Sequence, residues 1–214
     1  MMNNYYYIIA GLPVLDLDYQ SRNFSLESFT GQILPHLGNK DKRLVEWLLF
    51  GLNAENLTSH FYRSVKKSKS RFLREYFSFD LILRNILTAD TALKTKQDSS
   101  QFIFGLGEQG EKIGKSVSSL SAFASEYEFG PKLLQILENR NIIEREQAID
   151  LLRWERADII CTYNYFDIEV ILSFILKSAL VERWAKLDRT AGEKMFRQLV
   201  ADIKGSGKLN KEDQ

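Results

Sequence analysis

The sequence predicts an all-α protein: an elongated helical bundle of at least six helices, with a short extended segment at the N-terminus. Three observations lead there. Apolar residues recur at helical spacing over long stretches, as in Phe72, Tyr76, Phe79, Leu83, Ile86 and Leu93. Good N-cap residues stand just before those stretches. Only three prolines interrupt 214 residues, and a strand-like run occurs in one place.

Tyr5 to Ala10 is that place, rich in Tyr and Ile and stopped by Gly11 and Pro13. Residues 14–24 read as a loop. Ser25 caps a helix to about Leu34, ended by Pro35. Asn39 caps the next, with Leu44, Trp47, Leu48 and Leu52 on one face, and a third short helix runs from Ala54 to Val65. Ser70 caps a long helix from Arg71 to about Thr95, with Leu87 beside its stripe.

Residues 98–118, rich in Gly, Ser, Gln and Lys, read as a flexible connection and hinge. Short helices at 119–127 and 131–139 follow, the second with Pro131 in its first turn. Longer helices are expected at 142–162, 166–187 and 190–203. The parts are thus an N-terminal helical part (1–97), the connection (98–118), a C-terminal helical part (119–204) and a polar, disordered tail (205–214), within one domain. Ile171, Phe174, Leu180, Val181 and Trp184 should form the core of the C-terminal half.

Composition narrows the function classes. The chain is 44% hydrophobic and 27% charged, the balance of a globular protein. One cysteine, Cys161, allows no intrachain disulfide, reads as a small core residue and suits a reducing compartment. With 29 basic and 28 acidic residues the formal net charge is +1. Residues 1–100 carry 13 basic and 10 acidic residues and the remainder 16 and 18. Neither half has the excess of a dedicated nucleic-acid binder. The N-terminus lacks the basic region of a signal peptide. The most apolar window, Val170 to Val181, contains Ser173, Lys177 and Ser178 and is too short to span a bilayer. A cytoplasmic location is expected.

Two glycine motifs invite nucleotide chemistry, and both lack its context. Gly105-Leu106-Gly107-Glu108-Gln109-Gly110 fits G-x-G-x-x-G. No series of strands and crossover helices surrounds it, and Glu108 and Glu111 would repel a pyrophosphate. Gly110 to Ser116 resembles a P-loop but has one residue too few between its glycines. His36 and His60 have no Cys/His cluster around them. No Ser/His/Asp or Cys/His arrangement announces a nucleophile. The reading is a non-catalytic protein without cofactor or metal.

The remaining signals are polar. Arg63, Lys66, Lys67, Lys69, Arg71 and Arg74 form a basic run with no acid from Tyr62 to Arg74. Three readings fit it: a solvated connection between helices, a docking patch for an acidic protein, and a nucleic-acid patch. Asp80 and Arg84 stand at i and i+4, an ion pair on a helix. Asn85 lies among apolar residues and needs a partner if buried. Arg156 shares a face with Ile149, Leu152, Ile159 and Tyr163. It either pairs with a carboxylate from another helix, Asp80 and Glu169 being the candidates, or reaches solvent over its aliphatic stem.

Three segments carry a resemblance. They are Asn4-Tyr5-Tyr6-Tyr7-Ile8-Ile9-Ala10-Gly11-Leu12-Pro13; Phe79-Asp80 with Leu83-Arg84-Asn85-Ile86-Leu87; and Phe166-Asp167-Ile168-Glu169-Val170-Ile171-Leu172-Ser173-Phe174-Ile175-Leu176-Lys177 with Glu182-Arg183-Trp184. Together they resemble a small bacterial family of V-type ATPase-associated proteins, whose genes sit among those for V-type ATP synthase subunits. Asp80 with Asn85, and Leu172-Ser173-Phe174 with Glu182 and Arg183, are similar to the C-type stalk proteins (d-type in eukaryotes) of V/A-type ATPases. Those C-type proteins are longer, with three similar helical units. The resemblance implies a non-catalytic stalk subunit that joins the central rotor shaft to the membrane ring of proteolipids. Its partners would be other V-type ATPase subunits, with no nucleic acid and no membrane span of its own. The alternative is a nucleic-acid or regulatory protein-binding module using the 63–74 run.

Overall fold

A computed structural model describes residues 5–17, 25–98, 102–106, 112–113 and 115–186. Among these residues the chain is all-α, with no β-strand. Two expected elements, the 190–203 helix and the 205–214 tail, lie outside the described residues.

The N-terminal segment is the first correction. Tyr6–Ala10 is a short helix, α1, and not extended. A strand needs a neighbour to pair its backbone groups, and the described residues supply none. The segment closes its own turn instead, with Gly11 N donating to Ile8 O at 3.1 Å. Tyr5 anchors it: its N–H donates to Phe166 O at 2.7 Å. Its buried ring donates its hydroxyl to Asp41 at 2.5 Å and accepts from Gly38 N at 3.2 Å.

Helix α2 (Leu26–Ile33) is capped by Ser25, which accepts from Ser28 N, and a 3-10 turn at Leu34–His36 ends it at Pro35. Helix α3 (Asn39–Leu52) begins one residue earlier than expected, since Gly38 and not Asn39 is the N-cap. Its buried positions are Val45, Leu48 and Gly51, while Trp47 is turned outward. The expected 54–65 helix is broken in two. Ala54–Asn56 is a 3-10 turn, and Thr58 caps a fresh helix, α4 (Ser59–Val65), by accepting from Phe61 N at 3.2 Å.

Helix α5 (Arg71–Thr95) is the spine. Ser70 caps it, accepting from Leu73 N at 3.2 Å, and Phe72, Tyr76, Phe79, Leu83 and Ile86 are all buried. Helices α6 (Val117–Ala124) and α7 (Gly130–Leu137) follow, the latter with Pro131 in its first turn. A Cβ at Gly130 would stand 1.8 Å from Ala124 O, so only glycine at this position allows the α6–α7 corner to close. Helix α8 (Ile142–Cys161) is capped by Asn141 and α9 (Ile168–Ala185) by Asp167.

Helix α5 packs on α4, α6, α7, α8 and α9, and α9 packs in turn on α2, α3 and α8. One apolar cluster therefore runs from Tyr5 to Leu176 through both halves of the chain. Ile171, Phe174, Leu180, Val181 and Trp184 are buried as expected. The described pieces of 98–118 are tied to this core. Asn85 meets its need for a partner there: its Nδ2 donates to Phe104 O at 2.8 Å and its Oδ1 accepts from Phe104 N at 3.1 Å. Ile113 is buried as well.

Candidate functional site

A charge network is buried where α5, α8 and α9 meet. Asp80 of α5 and Asp150 of α8 are almost without solvent exposure, and Arg153 of α8 lies between them with a side chain 10% exposed. Arg153 reaches Asp150 at 2.9 Å and Asp80 at 3.6 Å. The second oxygen of Asp150 accepts from Trp184 Nε1 and forms an ion pair with Arg183 Nη2, each at 2.7 Å. Asp80 also accepts from Arg84 Nε at 2.7 Å and from Tyr62 Oη at 3.2 Å.

The surroundings shift the proton affinity of Arg153, Tyr62 and Tyr76. Burial opposes the charge of Arg153, and Tyr76, Asp80 and Asp150 more than offset it, so its pKa is raised. Burial first, and the Asp80 charge second, push the phenols of Tyr62 and Tyr76 up, so both remain protonated near neutral pH. Each carboxylate and guanidinium of the network is paired, and none of its members is a nucleophile. It bridges α5, α8 and α9 through buried ion pairs and hydrogen bonds.

Tyr62 carries the network to the surface. Its ring lines a groove of about 980 Å³ beside α5, floored by Phe79 and Phe129. Two ion pairs stand among the charged side chains that line it: Lys132 holds Glu155 at 2.8 Å, and Arg156 lies 3.7 Å from Glu75. Arg156 Nε is buried without a hydrogen-bond partner among the described residues.

The sequence expectations divide here. Asp80 and Arg84 pair as expected, but in a buried site. Arg156 is corrected: it meets Glu75, and neither Asp80 nor Glu169. The arginine that reaches Asp80 from another helix is Arg153. The buried face of α8 is Ile149, Leu152, Arg153, Ala157 and Ile160, whereas Ile159 and Tyr163 are exposed. Arg153 was legible from two signals. It stands at i+3 from Asp150, and it keeps helical register with Ile149, Ala157 and Ile160.

Glu169 does not join this network. It caps α5 from another helix, accepting from Ser70 Oγ and Arg71 N at 3.2 Å and from Phe72 N at 2.5 Å. A carboxylate suits a helix N-terminus, where unpaired N–H groups and the helix dipole favour negative charge. Burial raises its pKa, and the hydrogen bonds from Phe72, Ser70 and Arg71 oppose that rise.

The basic run is also redistributed. Arg71 Nη2 donates to Ile160 O and to Asn164 Oδ1, closing the C-terminal end of α8. Arg74 donates to Ser68 O at 2.6 Å and Arg63 to Ser59 O at 3.2 Å. These bonds fix Arg63, Arg71 and Arg74 in place without neutralising their charge. Lys66, Lys67 and Lys69 remain at the surface, with no side-chain hydrogen bond or ion pair among the described residues. Cys161 is half-buried and donates to Glu169 O at 3.3 Å; burial pushes its thiol up to about 12.

The glycine motifs gain no support from their surroundings. No strand leads into Gly105, which has φ +75°, and residues 107–111 lie outside the described residues. Gly110, Glu111 and Gly114 of the P-loop-like stretch also lie outside the described residues. Among the described residues no group of three or more His, Cys, Asp or Glu side chains is placed to hold a metal ion. No described helix is long and apolar enough to cross a membrane.

Comparison with curated proteins and with solved structures finds no match. A family model matches residues 2–61 and 52–206, nearly the whole sequence, and the chain belongs to the family it describes, protein of unknown function (DUF2764).

Proposed function

We propose that the protein is a non-catalytic stalk subunit of a V-type ATPase, standing where the C-type stalk protein stands elsewhere, between the central rotor shaft and the membrane ring. A torque-bearing link must be stiff. Of the three segments that carry the family resemblance, the first and third are bonded directly, and the second is linked to the third through α8. Tyr5 is tied to Phe166, Glu169 caps α5, and the Asp80–Arg153–Asp150 chain ends on Trp184.

The observation that carries the reading is the lysine corner. Lys66, Lys67 and Lys69 project from the short link between α4 and α5, while Arg71 and Arg74 clamp that link to the body. Like charges on a nearly neutral protein, held on a fixed mount, suit docking to an acidic subunit, where complementarity sets rate and register. The nucleic-acid alternative would rest on the same basic run.

The test is the variant with Lys66, Lys67 and Lys69 all replaced by Glu. The reversal should leave the circular dichroism spectrum and melting temperature unchanged. It should slow association with shaft subunits by about tenfold or more at low salt, and less as salt screens the charges. Wild-type rate and yield from the variant would remove the corner from the interface. Failure of the wild-type protein to co-purify with any V-type ATPase subunit would remove the assignment. Binding of duplex DNA with a salt slope of about −0.9 per phosphate contact would favour the alternative.

A further inference from the structure

The junction of α3 and α4 carries a second feature, remote in sequence from the α5–α8–α9 network. Trp47 and Phe50 stand out from α3, 41% and 52% exposed, on either side of the buried ring of Phe61 from α4. Ring centroids are 5.8 Å apart for Trp47–Phe61 and 5.9 Å for Phe50–Phe61. They line an open pocket of about 450 Å³, with Glu46, Glu55 and His60 also on its walls and no Lys or Arg among its lining residues.

The pocket is built by fixed backbone. A Cβ at Gly51 would lie 2.4 Å from the rings of Phe61 and Phe77, so glycine lets Phe61 lie flush on α3 as the floor. Asn56 Nδ2 donates to Phe50 O at 2.9 Å and Asn53 Oδ1 accepts from Glu55 N at 3.0 Å. Those bonds hold the 3-10 turn that carries Glu55 beside Phe50. Glu46 is four residues before Phe50 on α3, hence on the same helix face. Glu46 and Glu55 are exposed, and neither side chain has an ion pair or hydrogen bond among the described residues.

Two unpaired carboxylates beside exposed aromatic faces form a site for a cation with an apolar or planar body. Aromatic faces attract cations through the ring quadrupole, and carboxylates add direct charge pairing. We infer that this pocket receives a basic side chain, arginine by best fit, presented by a partner polypeptide. A guanidinium stacks on Trp47 or Phe50 while donating to Glu46 or Glu55, and a planar fork does this better than an ammonium. The pocket is shallow and open, which suits a side chain delivered by a protein surface. The exposed Trp and Phe match the anchors that dominate protein interfaces. This inference does not rest on the stalk-subunit reading.

The test uses the full chain and the three indole N–H signals in a ¹⁵N–¹H spectrum, with Trp47 assigned from Trp47→Phe. The probe is the peptide acetyl-Gly-Arg-Gly-Arg-Gly-amide, and tetramethylammonium chloride is titrated separately. The peptide should shift Trp47 saturably and leave Trp184, whose indole is bonded to Asp150, unmoved. The double variant Glu46→Gln/Glu55→Gln should weaken the apparent affinity by about fivefold or more, while Glu138→Gln, an exposed acid on another element, should not. No Trp47 shift, or equal affinities for wild type and the double variant, would overturn the inference. Tetramethylammonium saturating Trp47 at the same or lower concentration than the peptide would also overturn it, assigning the pocket to a small quaternary ammonium.

Discussion

Replacing Arg153 with methionine tests whether the buried network holds the fold. The substitution keeps a long apolar stem and removes the guanidinium between Asp80 and Asp150. Breaking a buried pair by deleting one partner costs about 3–5 kcal/mol, because the other charge remains desolvated. Here the cost falls at the low end. Asp150 keeps Trp184 and Arg183, and Asp80 keeps Arg84 and Tyr62. The expected loss is about 3 kcal/mol. Arg156→Met, three residues on, is the control. Its pair with Glu75 spans 3.7 Å between side chains 30% and 41% exposed, worth at most about 1 kcal/mol, and the change also removes an unbonded buried Nε. Urea unfolding followed by far-UV circular dichroism measures both variants, with the slope against urea held equal as the check on a common transition. The melting temperature should fall by roughly 6–12 °C for Arg153→Met, at about 2–4 °C per kcal/mol for a chain of this size. Joint replacement of Asp80 and Asp150 by Asn with Arg153 by Met should recover part of the loss, since no fully buried charge is then left uncompensated, and Arg84 and Arg183, 37% and 43% exposed, can turn to solvent. The reasoning fails if Arg153→Met lies within about 1 kcal/mol of wild type, or if Arg156→Met costs as much.

Two further outcomes follow from burial. Phe174→Ala should cost about 3–5 kcal/mol, because the ring is buried among α9 core residues and packs edge-on to Phe29 at 5.7 Å; a loss under about 1 kcal/mol in the same urea assay would place the ring outside the core. Cys161 has a thiol raised from 9.0 to about 12, so it should alkylate with iodoacetamide roughly a thousandfold more slowly in the folded than in the urea-unfolded protein at neutral pH. The sign for stability follows: the neutral thiol's contribution is complete below the unfolded pKa and is lost as pH rises through the folded one. Comparable alkylation rates in both states would show the thiolate accessible and unperturbed.

Sequence alone determined what short-range forces decide. Ser25 and Ser70 cap their helices because a side-chain oxygen meets a backbone N–H three residues on. The α5 stripe is buried because its spacing presents one apolar face. Tertiary structure decided whatever depends on which element covers a face. Tyr6–Ala10 has strand composition but, among the described residues, no strand to pair with, so it turns into a helix. Arg153 and Arg156 are both arginines near an apolar stripe, and only the rotation of α8 against α5 puts the first inside and the second at the groove. Glu169 bonds to Phe72 N across 97 residues, and Arg71 closes the end of α8, so neither role leaves a local pattern. Trp47 sits on an apolar stripe of α3 yet faces outward beside Glu46, because Gly51 lets Phe61 and Phe77 fill the space against the helix. Periodicity sets the face a helix offers; the packing of distant segments decides which side chains on that face are covered, paired or left exposed.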